Sequence, residues 1–143
     1  MSEKQSEPAL RSTTRGPAAY AFAADVVLVL VFAISGRSSH AEALSPGGVL
    51  TTAWPFLAAL ALGWLASRSW RAPLLLWPHG ISVWAITVIG GMALRIASGE
   101  TAAAPFILVA TIVLGIFLLG HRLLAGLVLR RDRKQSRSTT LMR

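Results

Sequence analysis

The stretch PAAYAFAADVVLVLVFAIS, Pro17–Ser35, contains a single charged residue, Asp25. About 20 mostly apolar residues in helical form are enough to cross a hydrocarbon core about 30 Å thick. Because lipid offers no hydrogen-bond partners, a backbone segment inside it must satisfy its own polar groups by forming a helix. Three further stretches have the same character: Leu50–Ala66, Gly80–Ala97 and Ala103–Leu119. The sequence therefore predicts four transmembrane helices.

Composition agrees with this pattern, since 54% of the 143 residues are hydrophobic and only 14% are charged. A soluble domain of this size could not bury so much apolar surface. The predicted fold class is an all-α integral membrane bundle of four transmembrane helices with short loops. The predicted organisation is a disordered cytoplasmic N-terminus (1–16), a transmembrane domain (17–129, with helices at 17–35, 50–66, 80–97 and 103–129) and a basic cytoplasmic tail (130–143). The absence of cysteine excludes disulfides and thiolate chemistry.

Basic residues predict the orientation of the bundle. Eleven of them fall on one side of the predicted helices: Lys4, Arg11, Arg15, Arg68, Arg71, Arg130, Arg131, Arg133, Lys134, Arg137 and Arg143. The opposite loops hold only Arg37, while Arg95 and Arg122 lie inside or near helices. Short loops rich in Lys and Arg stay in the cytoplasm. We therefore expect a protein of the inner (cytoplasmic) membrane with both termini in the cytoplasm.

Ala41-Glu42-Ala43 resembles a small-residue cleavage site after an apolar segment, so a cleaved signal peptide is an alternative for the first helix. The apolar run before it is long for a signal peptide and contains Asp25. These two features favour a retained first helix.

The basic segment after the fourth helix has two interpretations. A cluster of Lys and Arg can bind nucleic acid. A polybasic run directly after a membrane helix more often orients the protein and contacts anionic lipid. The expected partners are therefore the lipid bilayer and anionic lipids through the basic tail, with no nucleic acid. A homo-oligomer or another membrane protein remains an open alternative as a partner.

Asp25 is the most informative candidate site residue. It lies eight residues into the first predicted helix, about 12 Å along its axis. Arg122 lies eight residues before Arg130, at a matching depth, and His121 is adjacent. Asp25, Arg122 and His121 therefore predict either a proton or cation relay or a buried ion pair that fixes the first helix against the fourth. Because no second acid lies within the predicted helices, we favour the ion pair.

A second candidate group lies at the predicted outer face: Arg37, His40, Trp54 and Arg95. Arginines beside helix N-termini favour anions, so these residues predict a binding site for an anionic or acceptor-rich ligand. In the alternative, which we favour, each arginine only complements the dipole at the end of its own helix and extends toward the headgroups. The glutamates of the two outer loops could also neutralise them.

These residues predict a small-solute or ion binding or transport protein. The alternative is a structural or assembly component of a membrane protein complex without transport activity. The histidines are too scattered for a metal site, and no nucleophile–base pair or phosphate loop is recognisable. We therefore expect neither a metal, nor another cofactor, nor an enzyme.

Several short motifs are spread from Ala19 to Arg122. They are Gly36-Arg37-x-x-His40, Thr52-Ala53-Trp54-Pro55-Phe56-Leu57, Gly63-Trp64, Trp84-x-x-Thr87-Val88-x-Gly90-Gly91-Met92-x-Leu94-Arg95, Phe106-x-x-Val109-Ala110 and Gly120-x-Arg122. Together they resemble a family of small prokaryotic membrane proteins, domain of unknown function three thousand and fifty-four. The resemblance implies an integral membrane protein of four helices and implies no activity.

Overall fold

The computed structural model describes residues 15–39 and 44–141, and it contains four long helices. They are α1 (Arg15–Ser39), α2 (Pro46–Ser67), α3 (Ile81–Ala97) and α4 (Ala104–Leu141). Each is long and apolar enough to cross a membrane, α3 together with the helical turn Leu76–Gly80 that precedes it. The predicted all-α class is therefore confirmed. Residues 1–14 of the predicted disordered segment 1–16 lie outside the described residues. Its last two residues, 15 and 16, belong to helix α1.

Helix α2 begins earlier than the apolar pattern predicts, at Pro46 rather than Leu50. Ser45 caps it, because its Oγ accepts a hydrogen bond from the Gly48 backbone N–H at 3.1 Å. Pro46 then occupies a first-turn position, where the missing N–H costs nothing. Because the helix begins at Pro46, Pro55 lies in its interior.

Helix α4 also runs past its predicted end at residue 129 and continues to Leu141. The segment 127–141 contains neither Gly nor Pro, so nothing in the sequence stops the helix when the apolar residues end. Most of the predicted basic tail, 130–143, is therefore a helical extension of α4.

The four helices pack around an apolar centre to which each contributes. Its fully buried large side chains include Val29, Phe56, Leu60, Val83, Leu114 and Leu118. Helices α2 and α3 approach most closely, because glycines lie between them. A Cβ at Gly63 would lie 3.3 Å from the Val83 Cα, and a Cβ at Gly91 would overlap the Phe56 ring. Small residues allow this backbone approach, which is a usual packing mode in membranes.

The bundle has two ends, which we name after the predicted topology. The outer end is where α1 and α3 end and α2 and α4 begin. The inner end holds the start of α1, the segment between α2 and α3, and the last third of α4. Polar side chains gather near both ends, and the apolar centre lies between them.

Candidate functional site

Asp25 and Arg122 form a buried ion pair near the inner end. Both side chains are completely enclosed. The guanidinium binds the carboxylate with two parallel hydrogen bonds, Nη1 to Oδ1 at 2.8 Å and Nη2 to Oδ2 at 2.7 Å. This two-pronged geometry gives the strongest type of carboxylate contact available to a protein side chain. The structure therefore brings together the two residues that equal helix depth predicts to pair.

Two further side chains bind the same carboxylate. His121 Nε2 lies 2.6 Å from Oδ1, and the Trp64 indole N–H donates to Oδ2 at 2.8 Å. Arg122 uses its remaining groups on backbone carbonyls, with Nε donating to Pro73 at 3.1 Å and Nη1 to Leu118 at 2.7 Å. The cluster therefore joins α1, α2, α4 and the segment between α2 and α3.

The tautomer of His121 follows from its neighbours. Its Nε2 lies 3.1 Å from Arg122 Nη1, which can only donate, and 2.6 Å from the carboxylate of Asp25, which accepts. The shorter contact assigns the proton to Nε2, which then donates to Asp25. Within the described part of the chain Nδ1 of His121 is buried and has no hydrogen-bond partner. It is the one incomplete polar group of the cluster.

An ion pair moved from water into a low-dielectric interior is stable only when good geometry and additional hydrogen bonds offset desolvation. The Asp25 cluster meets that condition, because each carboxylate oxygen accepts two hydrogen bonds. Such an arrangement holds helices in register. It also means that Asp25 is already saturated by ligands from its own chain.

A cavity of about 220 Å³ opens at the outer end, and residues from all four helices line it. Its polar lining comes from Arg37, Thr52, Arg95 and Thr101. Arg37 Nη1 donates to Thr52 Oγ1 at 3.2 Å, and Arg95 Nε donates to the Thr101 carbonyl at 2.9 Å. These bonds direct two guanidinium groups from α1 and α3 toward one cavity.

The floor of the outer cavity is aromatic. Phe32 and Phe106 line it, and both contact the buried Phe56 with ring centroids 5.3 and 6.3 Å apart. The Arg95 guanidinium carbon lies 4.6 Å from the centre of the Phe106 ring, a cation–π distance. Below these rings the apolar centre separates the cavity from the Asp25 cluster, since Phe32 lies seven residues beyond Asp25 on α1, about 10 Å along the helix axis.

The predicted outer-face residues separate into three outcomes. Arg37 and Arg95 both line the cavity, whereas His40 lies outside the described residues. Trp54 is 43% exposed and does not line the cavity, so its part in outer-face binding stays a prediction. Thr52, two positions earlier on α2, faces the cavity, so helical geometry turns Trp54 to the opposite side.

In the described part of the chain, one glutamate pairs with one of the outer arginines. Glu100 Oε2 lies 3.4 Å from Arg95 Nη2, and the Glu100 side chain is 46% exposed. Because the glutamate is exposed and the N–O distance is long, we expect this pair to contribute little free energy. The second glutamate of the alternative, Glu42, lies outside the described residues.

Two polar groups of these sites were not predicted from the sequence, the Trp64 indole N–H that donates to Asp25 and the hydroxyl of Thr52 that accepts from Arg37. One signal for Trp64 was present, because a buried indole N–H needs an acceptor. Trp64 lies three residues before the inner end of α2, so this signal called for an acceptor near the inner end of the bundle. Among the described side chains no group of three His, Asp or Glu is placed to hold a metal ion.

Four membrane-crossing helices around a saturated intramembrane ion pair define a multi-pass α-helical membrane protein. The chain belongs to the family described as Protein of unknown function (DUF3054), whose model matches residues 22–125. The matched region contains both the Asp25 cluster and the arginines of the outer cavity. Comparison with curated proteins and with solved structures found no match.

Proposed function

We propose that this membrane protein binds a small anionic solute in the outer cavity and carries it across the membrane. The observation that carries the proposal is the convergence of Arg37 and Arg95 on one cavity enclosed by all four helices. Two guanidinium groups above an apolar, aromatic floor suit a small molecule with a carboxylate or phosphate group and an apolar body.

The Asp25 cluster has a supporting role in this proposal. It anchors the inner end of the bundle while the outer end remains open to solute. Each oxygen of Asp25 accepts two hydrogen bonds from its own chain, which favours an anchor over a coupling site. The same saturation favours binding or transport over catalysis, since a general acid or base needs access to a substrate.

The proposed orientation places the outer cavity on the side opposite the cytoplasm. The basic residues of the inner loop and of the α4 extension support it through the positive-inside rule. Both termini are then cytoplasmic, and the cavity of an inner-membrane protein faces the exterior. Solute would enter between α1 and α3 without crossing the polar cluster.

The test measures anion binding to the purified full-length protein by calorimetry. Benzoate and inorganic phosphate serve as anionic probes, and tetraethylammonium serves as the cationic probe. We expect binding of at least one anion and none of the cation. Because a hydrogen bond to a charged group contributes about 1.5–3 kcal/mol, Arg37→Gln and Arg95→Gln should each weaken anion binding by about 10-fold or more.

Arg71→Gln is the matched control, because Arg71 is exposed in the segment between α2 and α3 at the other end of the bundle. It should leave anion affinity unchanged. A preference for the cation that neither outer-end substitution alters would contradict the proposal. Anion uptake into proteoliposomes then separates transport from binding alone.

An assembly component without transport activity is the second candidate. The observation that favours it is again the saturated Asp25 cluster, which gives the bundle a fixed inner end without any ligand. This candidate predicts neither anion binding nor uptake. It also predicts that substitutions of Arg37 and Arg95 change no property except stability.

A further inference from the structure

Two adjacent threonines in the second turn of α2 use their hydroxyl groups differently. Thr51 is exposed, and its Oγ1 donates to the Gly47 carbonyl at 2.9 Å, the common bond of a helical threonine to the preceding turn. Thr52 is half-buried and lines the outer cavity. Within the described residues its Oγ1 makes no bond of that kind and lies 3.2 Å from Arg37 Nη1. The two neighbours therefore differ in whether the hydroxyl hydrogen is already used.

The direction of the hydrogen bond between Arg37 and Thr52 follows from the guanidinium group, which can donate but cannot accept. Thr52 Oγ1 is therefore the acceptor. In the part of the chain that the structure describes, the hydroxyl hydrogen of Thr52 has no acceptor of its own. A hydroxyl that accepts from a cation is polarised and becomes a stronger donor. The outer cavity thus holds an unused hydrogen-bond donor beside the Arg37 guanidinium.

Gly48 explains how a guanidinium group of α1 comes this close to α2. A Cβ at Gly48 would lie 2.6 Å from Arg37 Nη2 and 2.8 Å from Arg37 Cζ, so a side chain there would displace the guanidinium. At Gly47, one residue earlier, a Cβ would meet nothing within 4 Å. Because four residues are close to one helical turn, Gly48 and Thr52 lie on the same face of α2. The guanidinium therefore rests against the face that carries the Thr52 hydroxyl.

The second guanidinium of the cavity is held by other groups. Arg95 Nε donates to the Thr101 carbonyl at 2.9 Å, and the guanidinium carbon lies 4.6 Å from the centre of the Phe106 ring. Two cationic donors and one neutral donor thus line one cavity. Each oxygen of a carboxylate or phosphate can accept more than one hydrogen bond. A hydroxyl beside a guanidinium supplies an additional bond to such an oxygen without adding charge.

We infer that Thr52 determines the specificity of the outer cavity, because its hydroxyl donates directly to the anion that Arg37 and Arg95 attract. The inference rests on the proposed function, and it defines the solute as an oxyanion, a carboxylate or a phosphate. Charge attraction by the two guanidinium groups is shared by every anion. The bond from Thr52 needs a good acceptor, so it favours oxyanions over anions of equal charge that accept hydrogen bonds poorly.

The test measures anion affinity of the purified full-length protein by ligand-observed nuclear magnetic resonance, which detects weak binding. The oxyanion probe is whichever of benzoate and inorganic phosphate binds more tightly. Tetrafluoroborate, observed through its fluorine signal, is the comparison, because it is an anion but a poor hydrogen-bond acceptor. We expect the unmodified protein to bind the oxyanion more tightly than tetrafluoroborate.

Thr52→Val keeps the shape of the side chain and removes its hydroxyl. Because the lost bond is to a charged group, oxyanion affinity should fall by about 10-fold or more, whereas tetrafluoroborate affinity should not fall. Thr52→Ser keeps the hydroxyl and should retain the oxyanion affinity. Thr51→Val is the matched control, since it removes a hydroxyl that is bound to the Gly47 carbonyl and lies outside the cavity. It should change neither affinity.

Thr52→Val also removes an acceptor of Arg37, so a second comparison separates direct contact from positioning. In an Arg37→Gln protein no guanidinium at this position remains to be oriented. A hydroxyl that contacts the oxyanion itself still contributes there, so adding Thr52→Val should again weaken binding by about 10-fold. If Thr52 only orients Arg37, the double variant should bind as well as Arg37→Gln alone.

Three results would overturn the inference: unchanged oxyanion affinity in Thr52→Val, an equal loss for the oxyanion and tetrafluoroborate, or a loss that disappears in the Arg37→Gln protein. Each of them leaves the proposed function intact if oxyanion binding still depends on Arg95. If the unmodified protein binds neither benzoate nor phosphate, the proposed function fails and this inference fails with it.

Discussion

The ion pair between Asp25 and Arg122 gives the sharpest prediction about stability. In Asp25→Asn one acceptor oxygen becomes an amide donor. Whichever way the amide turns, that donor faces N–H groups, from Arg122 and His121 on one side or Arg122 and Trp64 on the other. The guanidinium also remains buried without a counter-charge. Breaking a buried pair in this way costs ~3–5 kcal/mol.

Arg122→Gln should lower the free energy of unfolding by a similar amount, but for a different reason. It leaves the carboxylate charged and buried, and it removes the donor to the Pro73 carbonyl. The double variant Asp25→Asn/Arg122→Gln carries no buried charge, and its two amides can bond each other. We expect its loss of stability to fall short of the sum of the two single losses, by an amount near the top of the ~0.5–3 kcal/mol range typical of directly contacting residues.

The assay is reversible unfolding of the purified protein in mixed micelles titrated with sodium dodecyl sulfate, followed by tryptophan fluorescence. The partly exposed pair Arg95 and Glu100, with an N–O distance of 3.4 Å, is the control cycle. Its coupling should be no more than ~1 kcal/mol. If the losses of Asp25→Asn and Arg122→Gln simply add, the cluster does not act as a unit. A fully stable Asp25→Asn protein that loses a pH-dependent flux would instead establish the relay.

Three other expectations concern separate parts of the bundle. Because the chain has no native cysteine, Ser38→Cys and Ser136→Cys can be labelled selectively. An impermeant maleimide should reach the two cysteines from opposite sides of the membrane. Labelling of both from the same side would refute the four-span topology. Trp64→Phe removes an indole N–H that donates to a buried carboxylate, so it should lower unfolding stability by ~1.5–3 kcal/mol, and an unchanged midpoint in the micelle titration would exclude that hydrogen bond. Gly91→Ala places a Cβ into a buried phenylalanine ring and should cost ~1–3 kcal/mol in the same titration, whereas Gly120→Ala, where a Cβ meets nothing within 4 Å, should not destabilise.

The sequence by itself determined the class of the protein and the number of its helices. The bilayer sets a length and an apolarity that a helix must meet, and both are visible in a contiguous stretch such as Pro17–Ser35. It also predicted that Asp25 and Arg122 would meet. When every helix crosses the same bilayer, the position of a residue along its helix gives its depth in the membrane. A charged side chain at that depth also needs a partner of opposite charge.

Tertiary structure decided everything that depends on the rotation of a helix about its axis. Trp64 turns inward to the carboxylate, whereas Trp54 turns to the lipid, although both lie on α2. Likewise, only packing brings Arg37 of α1 and Arg95 of α3 to one cavity. Rotation and tilt are set by contacts between helices, here by the close approach of α2 and α3 at Gly63. Those contacts join residues that are distant in sequence, whereas the lipid environment constrains every helix alike. The apolar pattern and the depth of a residue therefore do not specify the rotation of its helix.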